Sequence, residues 1–130
     1  MMNNKWRWIP PIAWGILLAV LSLMPTGDSQ IFLFHIPYMD KAAHFGMYAI
    51  WAYLVVHAWT SNSTYSNKRV MWLTILFGTM LGVILEYSQY TMTFGRSFET
   101  GDIIANGLGS IVGAVINTTI QSRKSNIVNP

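Results

Sequence analysis

Asp40 and His44 stand four residues apart, Asp102 and Asn106 stand four apart, and Glu86 is followed by Gln89 at the third position. On helices, each of these pairs lies on one face, one turn apart. Carboxylates beside an imidazole are the equipment of general acid–base chemistry, with Glu86 as the acid or base and Asp40 or Asp102 orienting His44. The same groups together with Arg96 equally suit a binding pocket, because the planar guanidinium can donate two parallel hydrogen bonds to a phosphate or carboxylate. The positions are concentrated. Of five acidic residues in the chain, Glu86, Glu99 and Asp102 fall within the stretch from Glu86 to Ser110, and Asp40 lies in the run DKAAHFGMY.

The background to these residues is apolar. The 130 residues are 52% hydrophobic and 10% charged, against about a quarter charged in soluble domains, which is a membrane composition. Cysteine is absent, which excludes disulfides, a thiolate nucleophile and Cys-ligated metal. The formal charge of +3 comes from basic residues in isolated pairs between apolar runs, a topology signal and not the continuous stripe of a nucleic-acid surface. Walker, Rossmann and nucleophile-elbow motifs are missing, so no cofactor, ATP hydrolysis or acyl-serine chemistry is expected. No HExxH pair occurs, and His44, Glu86 and Asp102 on three separate helices are a conjectural ligand set, so no metal is expected.

A membrane-crossing helix needs about 20 apolar residues, with about 17–25 tolerated. Four runs qualify, at about 8–24, 40–59, 70–90 and 102–120. The expected fold class is all-α, a four-helix transmembrane bundle in a single domain over 1–130. The first run follows Lys5 and Arg7 as a secretory signal would, but SLMPTGD lacks a small-x-small cleavage site, so it is read as an uncleaved helix. Lys5, Arg7, Lys68, Arg69, Arg123 and Lys124 fall on one side of such a bundle, and all the acids fall on the other with Lys41 and Arg96. By the positive-inside rule both termini are cytoplasmic and the polar residues face the exterior.

The stripes Asp40–His44–Tyr48, Glu86–Gln89–Tyr90 and Asp102–Asn106–Ser110 then share one membrane depth. Glu86 lies 17 positions after Arg69, or roughly 25 Å along a helix. That is the outer part of the apolar core, where a charge needs a partner such as Arg96, Lys41 or His44. Gly78 and Gly82 form a small-residue row on the third helix, and Ala105, Gly109 and Gly113 form one on the fourth. Such rows let helices approach closely in lipid, and the expectation places the Glu86 stripe against the Asn106 stripe.

Plainer roles compete with each of these. Asp40 and Asp102 can cap helix starts, and Lys41 can snorkel. His44 and Asn106 can be interhelical hydrogen-bonding glue, and Glu86 with Arg96 can be a structural ion pair. Glu99 reads as a solvated loop carboxylate, and His35 and His57 as ordinary. Trp6, Trp8, Trp59 and Trp72 read as interface anchors, and the triplets at Asn62 and Asn117 as uninformative.

DKAAHFGMYAI, followed by LEYSQ and GRSFETGDIIANGLGSIVG, resembles the VanZ-like family of small bacterial membrane proteins over about Asp40 to Gly113. The resemblance implies Asp40, Lys41, His44, Glu86, Gln89, Arg96, Asp102 and Asn106 as the motif residues, without roles, and a place in the bacterial cytoplasmic membrane. The family takes its name from a protein associated with teicoplanin resistance, and no established catalytic mechanism comes with it. Three functions follow as expectations. The first is a pocket binding a membrane lipid, a lipid-linked envelope molecule or the antibiotic. The second is an enzyme carrying out acid–base transfer or hydrolysis on a lipid headgroup, and the third is a structural adaptor. Transport fits less well, since the inner halves of the helices carry no charge for a relay.

Overall fold

The computed structural model describes residues 4–24, 37–60, 66–92 and 97–128. A short 3-10 turn, Asn4–Trp8, leads into α1 (Ile9–Leu23), which is followed by α2 (Met39–Thr60), α3 (Asn67–Met92) and α4 (Thr100–Val128). Among the described residues there are no strands. Pro10 and Pro11 occupy the opening positions of α1, where their missing N–H groups leave no helical bond unmade.

The helices run up, down, up, down. Trp8 at the start of α1 lies with its ring centroid 6.2 Å from that of Trp59 at the end of α2. The starts of α2 and α4 meet through His44 and Asn106, and their far ends meet through Thr60 and Gln121. Three helical segments, Lys5–Leu23, Asn67–Met92 and Thr100–Ile127, are long and apolar enough to cross a membrane. The remaining helix, α2, has 22 residues, or about 33 Å of rise. It falls short on hydropathy because Asp40, Lys41, His44 and His57 are on it. Those at its start turn toward α4, so α2 keeps the length to span while spending its polar face on the protein.

Glycine decides which helices touch. A Cβ at Gly109 would strike the Phe45 carbonyl oxygen, and one at Gly113 would strike the Ala49 carbonyl oxygen, so α4 lies backbone to backbone against α2. On α3, Gly78 faces the Ser110 side chain, and a Cβ at Gly82 would come within 2.9 Å of Asn106. This is the expected placement of the Glu86-bearing row of α3 against the Asn106 stripe of α4. The α3 row meets the polar stripe of α4, while Gly109 and Gly113 serve α2. Ala105 is buried on α4 beside them.

Helix α1 is held more lightly. The Trp14 indole donates to the Met47 carbonyl at 3.0 Å, the Gln89 amide donates to the Ser22 carbonyl, and Leu18 packs with Tyr48 and Leu85. Most of its other side chains face outward, as lipid-facing side chains do.

Two glycines on neighbouring helices should respond oppositely to substitution. Gly113→Val drives a side chain into the α2 backbone and should cost at least about 1–3 kcal/mol, the range for overpacking. At Gly46 an added Cβ meets nothing within 4 Å, so Gly46→Ala should be neutral or stabilising by up to about 1 kcal/mol. Thermal unfolding in detergent, followed by circular dichroism, separates the two.

Candidate functional site

The polar end of the bundle is built on Lys41. In the first turn of α2 its ammonium lies 3.1 Å from Asp40 Oδ2, 2.7 Å from Glu99 Oε2 and 3.3 Å from Asp102 Oδ1. Its aliphatic stem passes Gly101, where a Cβ would come within 2.7 Å of Lys41 Cε. Gly101 thus clears the path by which a residue of α2 reaches the carboxylates at the start of α4.

One turn deeper, His44 lies between Asn106 and Asp102. Nδ1 is 3.1 Å from Asn106 Oδ1, and Nε2 is 3.8 Å from Asp102 Oδ2. Asn106 is itself fully packed, with its side chain against Gly82 and its carbonyl accepting from Ser110 Oγ. Asp40, Lys41, His44, Glu99, Asp102 and Asn106 therefore form one connected network drawn from α2 and the start of α4.

Glu86 joins this network through the backbone. It is 2% exposed, and its Oε1 accepts the Glu99 amide at 2.9 Å, just before α4 begins. A carboxylate there is favoured by the positive end of the helix dipole. The expectation of an ion pair with Lys41 or His44 is corrected, since among the described residues Glu86 makes neither. Arg96, the remaining expected partner, lies outside the described residues, as does His35. Oε2 of Glu86 and the hydroxyl of Tyr48, which is 1% exposed, are both buried without a partner among the described residues.

Gln89 is turned away from the network and ties α3 to α1 through Ser22. Glu99, expected to be solvated, is the shortest partner of Lys41. The loop register that brings it back is not encoded in any helical period. A second polar group joins α2 and α4 at the far end of the bundle. There Asn117 donates to the Tyr53 carbonyl at 3.2 Å, and Gln121 donates to Thr60 Oγ1 at 2.6 Å and to Asn117 Oδ1 at 3.1 Å. Its signal was present in the sequence, because Asn106, Ser110, Asn117 and Gln121 lie on one face of α4. His57, also at that end, stacks on Tyr53 with centroids 6.5 Å apart.

Asp40, Glu99 and Asp102 place one carboxylate oxygen each within 4.8 Å of one another, an all-oxygen set of the kind that suits a hard cation. The Lys41 ammonium holds the position such an ion would take. The converging acids are not the His44, Glu86 and Asp102 set considered from sequence.

Lys41→Gln should therefore leave three carboxylates facing one another. The expected loss is about 1–2 kcal/mol, below the full value of charge-assisted bonds because Lys41 is partly exposed. Like-charge repulsion disappears as carboxylates protonate, so the melting temperature of Lys41→Gln should fall further below the unsubstituted chain at pH 8 than at pH 5. Equal deficits at both would show that the ammonium is not what holds the acids together.

No curated protein and no solved structure matches the chain significantly. A model of the VanZ/LLP1 family matches residues 4–121. That match takes in α1, α2 and α3, α4 as far as Gln121, and every residue of the Lys41 network, and the chain belongs to the VanZ/LLP1 family.

Proposed function

We propose that this VanZ/LLP1-family membrane protein is a binding protein of the bacterial cytoplasmic membrane. Its polar cluster, on the extracytoplasmic side, takes the headgroup of an envelope molecule: a membrane lipid, a lipid-linked wall precursor or a glycopeptide such as teicoplanin. The resistance phenotype attached to the family's name would follow from reduced access of the antibiotic to its target.

The observation that carries this reading is the buried carboxylate oxygen of Glu86, which has no partner among the described residues. A buried polar atom left unbonded costs about 1–3 kcal/mol, and a hydroxyl or amine hydrogen from a ligand headgroup would remove that cost. Tyr48 adds a second unpartnered oxygen. Asp40, Glu86, Glu99 and Asp102 outnumber Lys41, so the cluster favours a headgroup rich in hydrogen-bond donors, and Arg96 is the proposed contact for any phosphate or carboxylate it carries.

The competing reading is an enzyme in which Glu86 acts as acid or base on a lipid headgroup. In it His44, held by Asn106 at Nδ1 and with Nε2 3.8 Å from Asp102 Oδ2, would be the accompanying imidazole.

The test is teicoplanin susceptibility of a sensitive Gram-positive host expressing the unsubstituted chain, Glu86→Gln or Arg96→Ala, with membrane levels matched. Protection by the unsubstituted chain that both substitutions abolish is the expected result. Absence of protection from a well-inserted chain would refute the resistance link. Turnover of any lipid by purified protein, abolished in Glu86→Gln, would establish the enzyme instead.

A further inference from the structure

At the opposite end of the bundle, an apolar groove of about 510 Å³ runs between α1, α2 and α3. Its floor includes Trp51, and its rims include Ile16 and Phe77. It extends along α1 from Trp8, which contacts Trp59, to Ala19. Eleven residues of helix rise make this roughly 16 Å, close to half of the ~30 Å hydrocarbon core. The groove is thus as deep as one leaflet, and it begins at the helix ends where that leaflet's headgroups lie.

The mouth of the groove carries charge of one sign. Lys5 and Arg7 are exposed immediately before Trp8. Lys68, Arg69, Arg123 and Lys124 are near the helix ends on the same side, and no acidic residue lies near them in the sequence.

We propose that this groove holds one acyl chain of an anionic phospholipid from the leaflet at the basic end, with the lipid phosphate met by Lys5 and Arg7. The apolar walls take the chain, and the basic mouth selects the headgroup, since each Lys or Arg near a membrane surface favours anionic lipid. No residue of the Lys41 network takes part, so this lipid is distinct from the proposed ligand of the other end.

Bromine on a lipid acyl chain quenches an indole it touches, which makes Trp51 the reporter. The full chain, with its other five tryptophans replaced by Phe, is placed in phosphatidylcholine vesicles containing phosphatidylglycerol, with bromine on the chains of one lipid or the other. Brominated phosphatidylglycerol should quench Trp51 at a mole fraction about fivefold lower than brominated phosphatidylcholine. Lys5→Gln with Arg7→Gln should bring the two together, and Ala19→Phe, which fills the groove, should reduce quenching by both. Equal quenching by the two lipids with Lys5 and Arg7 intact, or no quenching, overturns the proposal. If the single-tryptophan chain does not fold, native mass spectrometry of the unsubstituted chain decides. Retained phosphatidylglycerol that is lost in Ala19→Phe supports the proposal, and no retention, or retention insensitive to Ala19→Phe, overturns it.

Discussion

The polar network depends on a contact made by no side chain at all, the approach of the α4 backbone to the α2 backbone at Gly109 and Gly113. With carbonyls of Phe45 and Ala49 where a Cβ would stand, the two parallel helices are as close as backbones allow. At that separation Asn106 reaches His44, and Asp102 reaches Lys41. Lipid supplies no hydrophobic force to press helices together, so close packing and interhelical hydrogen bonds must do it. The α2–α4 pair uses both, with glycines at its middle and amides toward either end.

Charge is handled in two ways. Three carboxylates share the one ammonium of Lys41, whose partly exposed position at the helix end keeps it near the polar boundary. Glu86 lies deeper and is compensated by the Glu99 amide at the start of α4. Peptide dipoles are already ordered there, and no second long side chain has to be immobilised. The arrangement links the two acids in sequence, since moving Glu86 would release the amide that precedes α4 and disturb Glu99, the closest partner of Lys41.

Much of this was legible in the chain. The four helices followed from the lengths of apolar runs, and the gathering of Asp40, Lys41, His44, Asp102 and Asn106 followed from scarce acids and fourfold spacing, because helical period and helix direction together determine which end a residue occupies. What was not legible depends on rotation of one helix against another. The glycines of α4 could face α2 or α3 with the same spacing, and only packing chooses α2. Gln89 shares a stripe with Glu86, yet the position of α1 draws it to Ser22. Glu99 sits before the first turn of α4, where no period applies. Asn117 and Gln121 extend the face of Asn106 and Ser110, and their pairing with α2 needed only that face to be followed farther.

The network also limits what its members can do. His44 is hydrogen-bonded to Asn106, and Asn106 is wedged against Gly82, so turning the imidazole would break a contact that helps align α2 with α4. Glu86 is the opposite case. One of its oxygens is committed to the fold and the other has no partner among the described residues, and it is this second oxygen that the proposed ligand would meet. This division between groups that hold the helices and an oxygen left over is what a binding site assembled on a tightly packed bundle requires.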